Sequence, residues 1–258
     1  MIPVALTIAG SDPSGGAGIQ ADLKTFHQFG VYGEAAITLL TVQNTQAVRR
    51  VECVDPGLVT AQISAVLEDI PPHAAKLGAL GNRGVIEAVA AIARLSFNFP
   101  LVVDPVMISK HGTPLMAVEA RDAMLREIVP VAYLLTPNLH EAAALTGLKV
   151  YDLDGMKRAG ERLLQAGAKN VLVKGGHLEG PALDLLFANS QLYEFVADRI
   201  DTPHTHGTGC TYSAAITAGL ALGDSVVEAV RNGKDYITRA IRTHPGLGHG
   251  AGPVNHHA

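Results

Sequence analysis

The sequence lacks the features of a secreted, membrane-spanning or nucleic-acid-binding protein. It has no tryptophan, its net charge is −4, and its basic residues are scattered, so nothing favours binding to nucleic acid. The N-terminus has neither the basic start nor the cleavage site of a secretory signal. No apolar run reaches the roughly 18 to 20 residues that a membrane span needs. We therefore expect a cytoplasmic protein.

Cysteine is also scarce. The two cysteines, Cys53 and Cys210, show no metal-ligand spacing, and they fit free thiols in a reducing compartment better than a disulfide framework. Cys53 lies in the short strand predicted over 48–54 and is expected to be a small buried hydrophobic residue. The closing segment 250–257 contains adjacent histidines without further ligands at defined spacing, and it is predicted to be a solvated tail.

Apolar residues make up 48% of the 258 residues, enough for one large core, so residues 1–258 are expected to form a single domain. Short apolar runs such as 4–9, 101–103 and 171–174 alternate with helical patterns. This alternation predicts an α/β fold, a three-layer α/β/α sandwich with a mostly parallel central sheet flanked by helices. The stretch 183–196 reads instead as a β-hairpin near one edge of the sheet.

A glycine-rich turn at 205–210 opens directly into an apolar helix predicted from Thr211. The backbone amides of Gly207, Thr208, Gly209 and Cys210 would have no acceptors within the helix, and the helix dipole favours negative charge there. The turn is therefore a candidate anion site with a thiol beside it. An ordinary glycine-assisted helix start explains the turn equally well when it is considered by itself.

Polar side chains recur where the predicted strands end. Asp104 follows one strand, Asn138 and Glu141 follow the next, and Lys174 ends a third. Ligands of open α/β sheets bind outside the carboxyl ends of the strands, so these groups should converge. Carboxylate and amide oxygens suit Mg²⁺, and a lysine offsets phosphate charge, so the set fits a polyphosphate with its metal.

Three other motif-based interpretations are weaker. No Gly-Lys-Ser/Thr sequence of a P-loop occurs, and the dinucleotide-type pattern at 16–21 lacks the acid that would hold a ribose. We interpret that glycine loop as one that lets backbone approach a small substrate. His206 lies close to Cys210 in sequence, which leaves a Cys–His hydrolase open.

The chain resembles the hydroxymethylpyrimidine and phosphomethylpyrimidine kinases of thiamine biosynthesis, members of the ribokinase-like superfamily. The resemblance spans nearly the whole chain. It rests on the segments 9–25, 42–45, 76–78, 104–107, 136–142, 173–177, 206–211 and 252–256. It implies phosphorylation of 4-amino-5-hydroxymethyl-2-methylpyrimidine by ATP with Mg²⁺, first to the monophosphate and then to the diphosphate. It also implies a homodimer.

The resemblance assigns catalytic and cofactor roles to the residues found above. Cys210 would face the substrate hydroxymethyl oxygen as a weak base, its thiol pKa lowered at the helix N-terminus. The amides of Gly207, Thr208 and Gly209 would form the anion hole and stabilise the transferring group. Contacts to ATP and Mg²⁺ are implied for five residues: Lys174 and Thr208 for phosphate, Asn138 for both phosphate and metal, and Glu141 and Asp104 for metal.

The pyrimidine would lie over the N-terminal loop near Gly10 and Ala17. Gln43 is the expected recognition residue, because its amide can donate to a ring nitrogen and accept from an exocyclic amine. Asp22 is expected to add a polar contact. A pyridoxal kinase and a non-catalytic binding protein are the alternatives, and the turnover of pyridoxal against the pyrimidine separates the first of them.

Overall fold

The computed structural model describes residues 2–176, 178 and 180–258, so His177 of the 173–177 motif lies outside the described residues. Within them, nine strands form one sheet in the order β3-β2-β1-β4-β5-β6-β7-β8-β9. The strands are β1 (Val4–Ser11), β2 (Tyr32–Gln43), β3 (Val48–Cys53), β4 (Ala74–Leu77), β5 (Leu101–Val103), β6 (Leu134–Leu135), β7 (Val171–Lys174), β8 (Ala182–Ala188) and β9 (Gln191–Ala197).

The middle of this sheet is parallel and its two ends are antiparallel. Strands β2, β1, β4, β5, β6 and β7 run in one direction, whereas β3 pairs antiparallel with β2. Strands β8 and β9 form the expected hairpin beside β7. Its two-residue turn, Asn189 and Ser190, has positive φ at both positions, as the tight turns that suit the strand twist require.

Helices cover both faces of the sheet. They are α1 (Gly18–Gln28), α2 (Pro56–Asp69), α3 (Arg83–Ser96), α4 (Arg121–Ala123), α5 (Leu139–Thr146), α6 (Leu153–Gln165), α7 (Thr208–Ala221) and α8 (Val226–Arg242). Two separate apolar clusters pack on the two faces, one around α2, α3, α5 and α6 and the other around α1, α7 and α8. The three-layer α/β/α fold is therefore confirmed. Among the described residues, no helix is long and apolar enough to cross a membrane.

One predicted helix is interrupted. The pattern over 118–128 predicts a continuous helix, but only Arg121–Ala123 is α-helical, and tighter and wider turns flank it up to Val131. Pro130 has no N–H to give to the preceding turn, and its ring crowds the carbonyl four residues back. The regular α-helical hydrogen bonding therefore breaks down as the chain approaches this proline.

Two predictions about burial are wrong. Cys53 is exposed, because β3 is the last strand of the sheet and has no neighbour beyond it. The segment 250–257 is not a solvated tail: Val254 and His256 are buried, and the Tyr236 hydroxyl donates a 2.8 Å hydrogen bond to the His256 carbonyl. Pro253 also pairs with His206 beside the candidate anion site. These long-range contacts hold a segment that has no helical or strand periodicity of its own.

Candidate active site

A cavity of about 1140 Å³ lies at the carboxyl ends of the parallel strands. Its lining includes all but one of the side chains and backbone segments that the sequence singled out as candidates. These are Gly10, Ala17, Gln43, Asp104, Asn138, Glu141, Lys174, Gly207, Thr208, Gly209 and Cys210. The parallel sheet brings them together because its strands all end at the same edge.

Lys174 and Asp104 form an ion pair inside this cavity. The ammonium of Lys174 donates a 2.9 Å hydrogen bond to Oδ1 of Asp104, and both side chains are largely buried. Burial acts to lower the pKa of Lys174, but Asp104 and Glu141 outweigh it and raise the pKa. The lysine is therefore cationic at neutral pH. A Cβ on Gly209 would lie 3.5 Å from the Lys174 ammonium, so this charge adjoins the start of α7.

Asn138 and Glu141 form the N-terminal cap of α5. The Asn138 side chain accepts from the Glu141 amide at 3.0 Å, and Glu141 accepts from the Asn138 amide at 2.8 Å. This capping box satisfies two backbone donors reciprocally while both residues still line the cavity. Burial raises the pKa of Glu141 to about 7, despite the opposing charge of Lys174. The carboxylate is therefore poised to gain or lose a proton near neutral pH.

The turn before α7 has the geometry of an anion site. The helix begins at Thr208, three residues earlier than the sequence predicts, and Gly207 precedes it with φ of 78°. A Cβ on Gly207 would overlap the carbonyl oxygen of Gly16, so only glycine fits here. The Thr208 amide lies 3.3 Å from the carbonyl oxygen of Thr205, which leaves the amides of Gly209 and Cys210 in the first turn for a ligand.

The thiol of Cys210 differs from the expectation of a lowered pKa. Burial raises its pKa to about 11, and the nearby Lys76 only partly offsets this. The backbone N–H of Gly18, at the start of α1, donates to the sulfur. Cys210 is therefore a neutral thiol at pH 7. Because the thiolate is the nucleophilic form, this state argues against the Cys–His hydrolase.

Asp22 does not line the cavity, so its expected contact with a substrate has no geometric basis. The side chains of Asp22 and Lys76 are fully buried, and the ammonium lies 2.8 Å from both carboxylate oxygens. The hydroxyl of Thr7 donates to the same carboxylate at 2.6 Å. Burial would lower the pKa of Lys76, but Asp22 raises it well above its ordinary value. A buried charge must be paired. Both carboxylate oxygens of Asp22 are occupied by these contacts with Lys76 and Thr7.

The cavity also contains an acidic residue that sequence reasoning missed, Asp12, beside the N-terminal glycine loop. The carboxylate of Asp12 accepts hydrogen bonds from the amides of Gly16 and Ala17, which fixes the N-terminal glycine loop. It also contacts His206, which in turn contacts Gln43. The position of Asp12 within a Ser-Asp-Pro-Ser-Gly-Gly stretch was a signal for such a loop, since Asp commonly bonds backbone amides in turns.

Sequence reasoning also missed the buried ion pair between α8 and β8. Lys234 of α8 lies 2.6 Å from Asp184 of β8, and both line the cavity. Asp184 also accepts from the amide of Gly175, directly after Lys174. No local sequence signal joins these residues, which are 50 positions apart.

The fold and the cavity together define the chain as a ribokinase-like phosphotransferase. It is 35% identical to the structure of the pyridoxal kinase from Staphylococcus aureus in complex with AMP-PCP and pyridoxal, with a TM-score of 0.92 over 100% of this chain and 94% of the other. The phosphomethylpyrimidine kinase structure from Clostridium difficile is 46% identical, with a TM-score of 0.83 over 93% of this chain and 99% of that one.

The chain belongs to the phosphomethylpyrimidine kinase family, which matches residues 12–255. It is 46% identical to the hydroxymethylpyrimidine/phosphomethylpyrimidine kinase of Haemophilus influenzae, over 98% of this chain and 96% of that protein. It is 47% identical to the thiamine biosynthesis bifunctional protein of Geobacter sulfurreducens over 97% of its own length. The chain spans about half the length of that bifunctional relative, 51%.

Proposed function

We propose that this chain transfers the γ-phosphate of ATP to 4-amino-5-hydroxymethyl-2-methylpyrimidine and then phosphorylates the monophosphate to the diphosphate, as a step of thiamine biosynthesis. The observation that carries this proposal is a single cavity that joins the two halves of the reaction. Gln43 and the glycine loop line it together with Lys174, Asp104 and the start of α7. Membership of the family supports the same reaction.

The residues present fit Mg²⁺ held chiefly by water and phosphate. No group of three or more His, Cys, Asp or Glu side chains suited to a metal occurs among residues 2–176, 178 and 180–258. Mg²⁺ commonly keeps several waters and binds one or two carboxylates plus substrate phosphates. Asp104 and Glu141, with the amide of Asn138, supply such a partial set. The metal would neutralise charge on the phosphates.

The first turn of α7 and Lys174 would provide the main electrostatic stabilisation. Preorganised backbone donors and a fixed cation hold the negative charge of a transferring phosphoryl group without reorganising during the reaction. The neutral thiol of Cys210 would orient the substrate hydroxyl, and the hydroxyl proton would pass late to an oxygen of the transferred phosphoryl group. A loose transition state demands little early deprotonation, so a poor base suffices.

The second phosphorylation uses the same groups. In the monophosphate, a phosphate oxygen replaces the alcohol oxygen as the nucleophile and needs no base. The amides at the start of α7 and the charge of Lys174 can accommodate the added negative charge. We further propose that the chain acts as one catalytic domain, that it forms a homodimer and that it works in the cytoplasm. Gel filtration with light scattering tests the dimer.

A competition between two substrates tests the proposed function. Purified protein is given ATP, Mg²⁺ and either hydroxymethylpyrimidine or pyridoxal, and the products are separated by chromatography. We expect the mono- and then the diphosphate of the pyrimidine, with a higher kcat/KM than for pyridoxal. A clear preference for pyridoxal would favour the activity named for the Staphylococcus aureus structure. Ligand binding without release of ADP would indicate a non-catalytic binding protein.

Two lysine variants serve as a matched pair in this assay. Lys174→Met removes the cation beside the start of α7, and we expect turnover to fall by about 10²- to 10³-fold, the typical loss for one transition-state donor. Lys149→Met removes an exposed lysine outside the cavity and should leave turnover unchanged. Equal turnover in the two variants would contradict the role of Lys174.

A further inference from the structure

The imidazole of His206 lies between two side chains at the substrate end of the cavity. His206 is 5% exposed, and its Nε2 atom lies 2.8 Å from Oδ2 of Asp12. The same Nε2 atom lies 3.3 Å from the amide nitrogen of Gln43. One ring nitrogen thus faces both an acid and the expected recognition residue.

The surroundings of Asp12 determine whether Nε2 of His206 carries a hydrogen. The carboxylate already accepts from the Ser14 amide and hydroxyl on Oδ1, and from the amides of Gly16 and Ala17 on Oδ2. Burial acts to raise the pKa of Asp12, but the hydrogen bonds from His206 and Ser14 outweigh it and lower the pKa. An ionised carboxylate only accepts, so Nε2 of His206 must carry a hydrogen and donate it to Asp12.

A protonated Nε2 atom constrains the amide of Gln43. Two N–H groups facing each other repel, so the amide nitrogen is the wrong partner for this position. The terminal torsion of glutamine is roughly two-fold, so a half-turn exchanges the amide nitrogen and oxygen at little cost. After this half-turn, the Gln43 oxygen accepts a hydrogen bond from Nε2–H of His206, which the oxygen shares with Asp12. The N–H₂ group of Gln43 then occupies the former position of the oxygen, and Gln43 lines the cavity.

We propose that His206, held by Asp12, locks the Gln43 amide with its oxygen towards the imidazole and its N–H₂ group towards the substrate. His206 is in this sense a positioning residue for specificity. The locked amide donates to a ring nitrogen, and the second lone pair of its oxygen accepts from a neighbouring exocyclic amine. The site therefore selects the aminopyrimidine edge, with its ring acceptor beside a donor, and rejects the reversed pattern. This inference rests on the proposed function for the identity of the ring.

An analogue with the reversed pattern provides the test. The 4-oxo analogue of hydroxymethylpyrimidine can present a ring N–H and a carbonyl oxygen where the natural substrate presents a ring acceptor and an amine. We expect the wild-type protein to prefer the amino compound in kcat/KM by roughly 10- to 100-fold, the effect of leaving a buried polar group unpaired.

Three variants separate the lock from a general structural role. His206→Phe keeps a ring but loses the donor, so Gln43 can turn and the preference should shrink to about threefold or less. His206→Gln carries an amide N–H₂ near the position of Nε2 and should restore the preference. His204→Phe changes a histidine of the same loop that does not line the cavity and should keep the wild-type ratio. A wild-type ratio in folded His206→Phe would overturn the proposal, as would loss of the ratio in His206→Gln.

A second measurement needs no turnover. Long-range proton–nitrogen NMR of the wild-type protein reports which imidazole nitrogen of His206 carries hydrogen, with His206→Gln or His206→Phe used to assign the signal. Hydrogen on Nε2 is the expected result, and an unprotonated Nε2 would overturn the proposal. If neither pyrimidine is phosphorylated, the proposed function fails, while the NMR result still decides whether the amide can be locked.

Discussion

The protonation state of Cys210 gives the most direct test of the catalytic site. Burial raises the pKa of the Cys210 thiol from its ordinary value of 9.0 to about 11. At pH 7 about one molecule in ten thousand would then carry the thiolate, about a hundredfold less than for an unperturbed thiol. A helix N-terminus acting in isolation would shift the pKa in the opposite direction. The two effects therefore predict different pH profiles for thiol reactivity.

Alkylation by iodoacetamide measures this profile. The Cys53→Ser variant leaves Cys210 as the single cysteine of the chain, so mass spectrometry of the intact protein follows one site. We expect the alkylation rate to rise about tenfold per pH unit from pH 6.5 to 9.5 without a plateau, because only the thiolate reacts. Limited access to the sulfur would lower every rate equally and leave this slope unchanged. A plateau near pH 7 to 8 would refute the reasoning.

The same thiol state sets the expectation for turnover. In Cys210→Ala we expect kcat to fall by about 10- to 100-fold while KM for the pyrimidine changes by about twofold or less, because the neutral thiol orients the reacting hydroxyl but contributes little to binding. Cys210→Ser should recover part of the loss, since a hydroxyl can also orient the substrate. A full rate in Cys210→Ala would make the thiol a packing residue.

Three further predictions concern buried charges. Asp22→Asn should lower the free energy of unfolding by about 3 to 5 kcal/mol in chemical denaturation, because Lys76 is left unpaired. The double variant Asp22→Asn with Lys76→Met should recover most of the lost stability. Equal losses in the single and double variants would contradict the pairing. Burial lowers the pKa of His256 from 6.5 to about 4, so the unfolded chain protonates this imidazole more readily than the folded protein does. Stability should fall by up to about 3 kcal/mol as the pH drops from 6.5 to 4, and His256→Gln should flatten that decline; an unchanged slope would count against it. Because burial raises the pKa of Glu141 to about 7, its carboxyl should titrate near neutral pH in the protein without ATP or Mg²⁺, as measured by carbon-detected NMR with Glu141→Gln used to assign the signal; a titration complete below pH 5 would contradict this expectation.

Some residues of the cavity can be predicted from local patterns, whereas the surroundings of others depend on distant contacts. The sequence predicts that Lys174, Asp104, Asn138 and Glu141 converge, because each lies at or after the end of a predicted parallel strand, and in the structure all four line one cavity. Asp22 was misplaced because its position on α1 does not reveal which way the side chain faces. Its partner Lys76 lies 54 residues away, on a strand whose neighbours only the fold determines.

Local sequence information is enough to predict the three-layer fold, the edge of the sheet where the cavity lies and the glycine turn before α7. These depend on local patterns: alternating strands and helices, and a helix start that leaves amides unpaired. Three features depend on long-range packing: the protonation of Cys210, the pairing of Asp22, and the contact between His206 and Asp12, which are 194 residues apart. Burial and charge pairing depend on which distant segments pack together, and a local pattern does not contain that information.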